Sequence, residues 1–280
     1  HIEFFHKEHF EKFYHRVKPV AALAHFIDYF WETDFDTLWK DHPKGFSDVL
    51  FPNIGYTYLI NLGTPFIMQL ENRSYRMKGD GFLPRHTCLE CYHQPGNKLF
   101  GIKFKISPVL FEKRINFAEY KAYIFPLSYL LDPSVPDQVK QAAGFRERVG
   151  IVSDYYARLV KNYSGTLQPI QIVSEIIEES VSKNRFDLSV SGLAARYRVS
   201  PRTLQRYFET TLGISSKKAL QVLRIRKAVG ELSGSPETFQ SSAYGYHDHS
   251  HFVKHLKSFL QKETLKKRKL HLELLQELHQ

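Results

Sequence analysis

Four of the chain's fourteen histidines lie within nine residues near its C-terminal end, in the stretch GYHDHSHFVKHLKSFL (245–260). If this stretch is a helix, His251 and His255 share one face, because side chains four residues apart lie one turn above another. Two histidines at that spacing are typical of a zinc site. Such a site needs three or four ligands, however, and no cysteine lies nearby in the sequence.

The same histidines fit a helix over 248–260 that contacts DNA, with Asp248 as its N-cap. Histidine, serine and lysine side chains can all donate to guanine or to phosphate, and the N-terminal residues of a DNA-binding helix reach base edges. We therefore predict DNA contact and no metal here, with solvated or packed histidines as the plainer alternative. The predicted contact residues are His249, Ser250, His251 and Lys254.

A second stretch, SPRTLQRYF, carries side chains of the types that recognise bases. Arg202, Gln205 and Arg206 are three or four apart, which predicts one shared helix face. Arginine can bind guanine bidentately and glutamine can bind adenine. Ser200 followed by proline is typical of a helix start, and Gly213 is typical of a helix end.

A second cluster of metal-ligating types lies in the segment RHTCLECYHQPG, with His86, Cys88, Glu90 and His93. On a strand, residues 86, 88 and 90 would point the same way, either to hold a metal inside a barrel or to place polar groups at its mouth. We expect no metal. The patterns G-x-S-x-G, P-loop and glycine-rich dinucleotide turn are missing, which argues against the enzymes that use them.

The formal net charge of +10 lies entirely in the last third. Residues 183–280 hold 18 Lys+Arg against 8 Asp+Glu, whereas the first 182 residues are neutral. This asymmetry predicts a neutral domain joined to one that binds a polyanion. No apolar run is long enough to span a membrane, and the two cysteines, Cys88 and Cys91, fit a reducing compartment. We expect a cytoplasmic protein.

The elements that must position these residues change in type along the chain. Through Ile106 the sequence predicts short strands, and KLFGIKFKI alternates as a half-buried strand does. The stretch VAALAHFIDYFWE fits either a helix or a strand. From Ser107 the pattern is helical, and SGTLQP (164–169) is a linker candidate.

The last third predicts one helix after another. VSGLAARYRV is a short helix with Ser191 as its expected N-cap, and the helix over 200–212 follows it after a turn. This is the shape of a helix-turn-helix unit. A long helix over SSKKALQVLRIRKAVGEL then leads to PETFQSSAYGYHDHSHFVKHLKSFL, which repeats the short helix, turn and helix.

These residues resemble the AraC-type (AraC/XylS) DNA-binding domain over about residues 170–265. The matching positions, in order, are Leu193-Ala194, Ser200, Arg202, Leu204, Arg206, Phe208, Gly213, LRIRKA (223–228), Gly245-Tyr246, Asp248, Ser250-His251-Phe252, Lys254 and Phe259. The resemblance implies that each unit places its second helix in the major groove, about one turn of DNA apart. It also implies that the first part is a sensor or dimerisation domain, of which some are cupin-like barrels.

The sequence departs from the family pattern in several places. Arg198 stands where the family usually has a turn glycine, and Lys217 stands where a proline usually follows Ser-Ser. The second unit is also short, because only Tyr244 separates Ala243 from Gly245 where three residues are usual. This spacing predicts a truncated lead helix or an incomplete segment.

Together these observations predict an α+β chain: a β-rich, cupin-like barrel or sandwich, a helical connector and an all-α domain with two helix-turn-helix units. The expected divisions are a sensor domain (1–106), a connector that dimerises (107–163), a linker (164–169), a DNA-binding domain (170–265) and an amphipathic helix (266–280).

The predicted function is sequence-specific transcription regulation on double-stranded DNA. Expected partners are a small-molecule effector, a second copy of the chain and RNA polymerase, with no cofactor. The alternative is an enzyme built on the N-terminal barrel with a basic helical appendage. Six cationic side chains are expected to supply most of the phosphate affinity: Arg196, Arg198, Lys217, Lys218, Arg224 and Lys257.

Overall fold

The structure, a computed structural model, describes residues 7–108, 123–186 and 188–260. The predicted helix at 266–280 and residues 109–122 of the predicted helical connector lie outside these ranges. Within them, a β-rich N-terminal region precedes a helical C-terminal region, as predicted. None of the described helices has the length and apolar character that a membrane crossing requires.

Two antiparallel sheets form the N-terminal region. The larger has the strand order β1-β2-β9-β4-β7-β10 and the smaller β3-β8-β5-β6. Both sheets keep open edges, so the region is a two-sheet sandwich rather than a closed barrel. The strands are β1 (Tyr14–Val17), β2 (Ile27–Asp34), β3 (Ser47–Leu50), β4 (Tyr56–Asn61), β5 (Phe66–Leu70), β6 (Arg73–Met77), β7 (Gly81–Pro84), β8 (Leu89–Tyr92), β9 (Lys98–Phe104) and β10 (Phe125–Pro126).

Strand β9 alternates as predicted, but the expectation that it is half-buried is wrong. Phe100, Ile102 and Phe104 face the helical region, and the opposite face is covered by the second sheet. The buried Lys103 donates from Nζ to the carbonyl of Ile54 at 2.6 Å. Lys103 is a polar residue on a strand, yet it is not exposed to solvent, because its amine reaches a backbone acceptor inside the sandwich.

The ambiguous stretch VAALAHFIDYFWE contains a 3₁₀ turn over Ala21–Leu23 and then strand β2. Strand β2 pairs with both β1 and β9, and these backbone bonds from distant segments decide its conformation. The Trp31 ring lies across from Gly101, where any Cβ would overlap it. Local sequence could not separate helix from strand here because tertiary pairing overrides propensity.

The described helices are α1 (Lys7–Phe13), α2 (Asp36–Asp41), α3 (Ser134–Gln141), α4 (Phe145–Asn162), α5 (Gln168–Ser182), α6 (Val190–Arg196), α7 (Pro201–Leu212), α8 (Ser216–Gly234) and α9 (His249–Leu260). Helix α5 begins at Gln168, inside the predicted linker 164–169, so the segment without secondary structure ends at Leu167. Pro169 lies in the first turn of α5, where a backbone amide has no helical partner. The amide hydrogen that proline lacks is therefore not missed, and the residue is compatible with a helix start.

The sheet and the helices share one hydrophobic core, here called the central cluster. It runs from the larger sheet to the first helix-turn-helix unit, and its members include Tyr56, Tyr58, Phe104, Tyr156, Ile176, Leu204 and Phe208. A second, inter-sheet cluster fills the space between the two sheets and includes Phe66, Met68, Leu83 and Leu99. The helical region therefore covers the outer face of the larger sheet.

The α3–α4 hairpin is attached to the sheet by a buried ion pair. Arg148 of α4 donates from Nη1 to Glu32 Oε2 of β2 at 2.9 Å, and both side chains are less than a tenth exposed. The same guanidinium donates to the carbonyls of Val139 and Ala142 at the end of α3. One side chain thus joins a strand and two helices.

We expect Arg148→Met to lower the free energy of unfolding by about 3–5 kcal/mol, because it leaves the Glu32 carboxylate buried without its guanidinium partner. The double variant Glu32→Gln/Arg148→Met should recover part of this loss, since it buries no charge. Urea unfolding of the three proteins is the measurement. A double variant less stable than Arg148→Met would contradict the expectation.

Candidate nucleic-acid interface

The first helix-turn-helix unit consists of α6 and α7, and each helix begins at a serine. Ser189, not the predicted Ser191, is the N-cap of α6, and its Oγ accepts from Gly192 N at 3.0 Å. The prediction failed because both serines precede the apolar pattern and only the backbone distinguishes them. Ser200 caps α7 as predicted, accepting from Thr203 N at 3.0 Å, and Gly213 ends it in the left-handed conformation.

The turn between α6 and α7 contains Arg198 at φ 54°, in the left-handed region where glycine is usual. Its amide donates to the carbonyl of Ala195 at 3.1 Å, so the turn keeps its form without the glycine. An L-residue in this conformation costs roughly 1–2 kcal/mol. The Arg198 side chain is exposed, beside the exposed N-terminal end of α7.

Helix α7 buries one face and exposes another. Leu204, Phe208 and Leu212 are fully buried, whereas Arg202 and Arg206 are exposed on the opposite side. Neither guanidinium is paired with a carboxylate of the described residues. Both are therefore available to an external acceptor, which is the arrangement that base recognition by arginine requires.

Gln205 does not share that exposed face. Its Oε1 accepts from the backbone N (3.2 Å) and Oγ (2.8 Å) of Ser216, and its Nε2 donates to Glu209 Oε1 at 2.6 Å. The side-chain amide thus connects α7 to the first turn of α8. The expectation that residues 202, 205 and 206 project from one face is wrong for Gln205, because a partner from the next helix turns it aside.

Two lysines lie in the first turn of α8. Ser215 caps this helix, accepting from Lys218 N at 3.1 Å, and both Lys217 and Lys218 are exposed. Cations at a helix N-terminus oppose the helix dipole, so this placement does not serve helix stability. It does concentrate positive charge beside α7.

Two of the six predicted phosphate-binding cations have partners within the chain. Arg196 forms an ion pair with Glu179 at 2.6 Å, and hydrogen bonds from Lys183 and Arg196 lower the pKa of Glu179 to about 2. Arg224 lies 4.4 Å from the centre of the Tyr246 ring and donates to the carbonyl of Gly245 at 3.2 Å. These contacts indicate that both arginines position helices.

The second unit lacks a regular lead helix. Two 3₁₀ turns, Pro236–Thr238 and Ser241–Tyr244, take its place, so the predicted short helix is wrong. Gly245 then adopts φ 73°, a conformation open to glycine, before α9 begins. Asp248 caps α9 as predicted, with Oδ1 accepting from His251 N at 2.7 Å.

Helix α9 also has one buried and one exposed face. Phe252, Leu256, Phe259 and Leu260 are buried. The exposed side chains of its first two turns are the four predicted contact residues, His249, Ser250, His251 and Lys254.

The two histidines that a zinc site would use, His251 and His255, lie in two different environments. His255 is half-buried, and its Nδ1 lies 2.9 Å from the hydroxyl of Tyr246. Burial, with the nearby charge of Arg224, lowers the pKa of His255 to about 4, and burial raises that of Tyr246 to about 12. His251 is exposed and meets the Tyr246 ring edge-on. The described residues contain no group of three His, Cys, Asp or Glu that could hold a metal.

The N-terminal cluster at 86–93 does not form one face either. Strand β8 begins only at Leu89, so the expected strand geometry over 86–90 is wrong. His93 is buried between Asn97 (Nδ1 to Oδ1, 2.7 Å) and Asp48 (Nε2 to Oδ2, 3.2 Å), and the Phe35 ring stacks on it. Cys88 faces the second helix-turn-helix unit instead.

A small cavity lies between the two sheets, with a volume of about 50 Å³. Apolar and aromatic side chains line most of it. Its polar lining comes from Thr33, Asp48, Thr57, Arg85, His93 and Lys103.

Sequence reasoning missed the contacts that hold the end of α7 in place. The hydroxyl of Tyr56 in β4 donates to the carbonyl of Leu212 at 3.0 Å, and Ser107 N donates to the carbonyl of Thr211 at 2.9 Å. These carbonyls end α7 and have no helical partner of their own. Nothing in the local pattern around Tyr56 indicates a partner more than 150 residues away.

Comparison with known proteins agrees with this geometry. Residues 193–264, which include the second unit and all but the first three residues of the first, match the sequence model of a helix-turn-helix domain. No curated protein matches the chain significantly. Among solved structures, ToxT from Vibrio cholerae is 12% identical with a TM-score of 0.43, over 89% of this chain and 95% of that one. The AraC-like transcriptional activator CuxR is 10% identical with a TM-score of 0.26, over 80% and 89%.

The family match and the two helix-turn-helix units point to the same region and the same activity. Both lie in the part of the chain that carries the positive charge. The C-terminal region is therefore a helix-turn-helix domain of the AraC type, and the chain is a DNA-binding transcription regulator.

Proposed function

We propose that α7 and α9 each enter the major groove of one DNA site, about one helical turn apart. The proposal rests on one observation: each of the two helices buries an apolar face and exposes a face whose side chains are of types that can bind bases. Ser200, Arg202 and Arg206 contact DNA from the first unit. The contacts of the second unit are His249, Ser250, His251 and Lys254.

Gln205 has a positioning role in this proposal. Its amide is engaged by Ser216 and Glu209, so direct contact with adenine requires those bonds to break. Held in place, it fixes the angle between α7 and α8. Lys218 then lies beside α7 and contacts a phosphate, as Arg198 does from the preceding turn.

The N-terminal region regulates rather than catalyses in this proposal. His93, a buried acid–base group, is held by Asp48 and Asn97 and stacked on Phe35, which suits a structural role. We propose that residues 1–106 sense a small-molecule effector or dimerise, with 107–163 as connector and 170–265 as the DNA-binding domain. A second copy of the chain and RNA polymerase are the further partners, and the cytoplasm is the proposed location.

The test of base recognition compares two single variants on a site selected from random duplex DNA. Arg206→Ala should lower specific affinity by roughly 1–3 kcal/mol and relax preference at one or two base pairs, because it removes a bidentate contact. Lys218→Ala should weaken binding to all sequences alike and reduce the salt dependence by about one phosphate. An unchanged preferred sequence in Arg206→Ala would refute the proposed orientation of α7.

Replacing Arg198 should change the stability of the fold and the affinity for DNA in opposite directions. We expect Arg198→Gly to raise the free energy of unfolding by roughly 0.5–1 kcal/mol, since glycine adopts the left-handed turn without strain. Non-specific DNA affinity should fall, because a phosphate contact is lost. Arg198→Lys is the control that keeps both the charge and the strain. Equal DNA affinity in all three proteins would show that this side chain does not meet phosphate.

The histidines of α9 predict a pH response. The charged form of a histidine is attracted to phosphate, so contact with DNA favours proton uptake. DNA affinity should therefore rise between pH 8 and pH 6, and His249→Gln/His251→Gln should reduce that rise. His255 does not contribute, because its pKa of about 4 keeps it neutral over this range. Affinity that depends on a chelator would support the zinc alternative, and an identical response in the double variant would place both side chains away from DNA.

A further inference from the structure

The hydrophobic core of the second helix-turn-helix unit includes side chains from the N-terminal sheet. This second-unit cluster contains residues of α8, of the 3₁₀ turns and of α9, together with Val49 of β3, Phe51 and Cys88. Val49 and Phe51 are fully buried. Two residues about 200 positions before α9 in the sequence thus help to complete the surface on which it packs.

Two contacts attach the corner after β3 to both long helices of the unit. The Phe51 ring lies 5.5 Å from the ring of Phe259 in the last turn of α9. From α8, Arg226 donates through Nη1 to the carbonyls of Phe51 (3.4 Å) and Pro52 (3.0 Å). The corner therefore touches α9 while its backbone is held by α8.

The second unit has a physical need for this support. In the first unit, the regular helix α6 contributes the buried Leu193 and Ala194, and α5 packs against α7 and α8. In the second unit, the two 3₁₀ turns contribute only Tyr244 as a buried side chain. A helix that presents base-binding residues must be held firmly, because bidentate contacts to bases tolerate little misplacement.

We propose that Phe51, with Val49, is a positioning residue for DNA recognition: it sets the placement of α9 in the major groove. The inference rests on the proposed function of α9. Removing the Phe51 ring leaves a cavity beneath the last turn of α9, and a helix with incomplete packing shifts or loosens. The first unit is spared, because Tyr56 and Ser107 hold the end of α7 independently.

The experiment uses the full chain and selection of bound sequences from random duplex DNA. Wild type should yield a motif of two blocks, one weakened by Arg206→Ala and the other by Lys254→Ala. We expect Phe51→Ala to keep the first block, to lose base preference in the second and to bind the wild-type site at least about tenfold more weakly. Phe51→Leu, which refills much of the space, should restore the second block.

A matched control separates positioning from general loss of stability. Phe66 is as buried as Phe51 but lies in the inter-sheet cluster, away from α9. Phe66→Ala should therefore keep both blocks, even if it lowers the free energy of unfolding as much as Phe51→Ala does. Two intact blocks in Phe51→Ala, or equal loss of both blocks, would overturn the inference while leaving the role of α9 intact. A wild-type motif of one block would overturn the role of α9 in recognition, and the inference with it.

Discussion

The outer face of the larger sheet is aromatic and has to be covered. Tyr56, Tyr58, Phe100 and Phe104 project from it and are fully buried, although they belong to central strands with no second sheet on that side. Exposed aromatic area of this size is unfavourable in water, so the helices must pack against it. The central cluster that results joins the sheet, the α3–α4 hairpin and the first helix-turn-helix unit in one core.

This shared core determines how the DNA-binding helices are presented. Burial raises the pKa of Tyr56, so its hydroxyl stays protonated and donates to the carbonyl of Leu212 at the end of α7. Near α9, side chains of the N-terminal sheet pack in the core of the second unit. The N-terminal region is therefore part of the support of both units. Strand β3 also has two roles, because Asp48 and Leu50 line the cavity while Val49 faces the second unit.

Much of the C-terminal region could be predicted from short-range patterns, for a physical reason. Ser200 and Asp248 cap their helices through bonds to amides three residues away, and Gly213 ends α7 through its own backbone freedom. Both partners of such an interaction lie within one helical turn, so both can be identified from neighbouring residues in the sequence. The arginines of α7 and the polar first turn of α9 followed from the same periodicity, and the charge asymmetry indicated a polyanion.

Spacing alone misleads where a side chain has a partner outside its own helix or strand. Gln205 has the spacing of a base-contact residue, but Ser216 of the next helix binds its amide. Lys103 has the alternation of an exposed residue, but a second sheet covers it and Ile54 accepts from it. His255 has the spacing of a zinc ligand, but the turn at Gly245 brings the hydroxyl of Tyr246 to it.

The sequence by itself determined the class of the protein: a β-rich region, a helical region with two helix-turn-helix units, and the exposed cations of the second region. Only the tertiary structure decided which polar side chains remain open to DNA and which are used to hold helices. It also decided that residues from β3 and β4 support the DNA-binding units. The physical reason is that helix caps and helix periodicity act over three or four residues, whereas covering an aromatic sheet face brings together side chains separated by most of the chain.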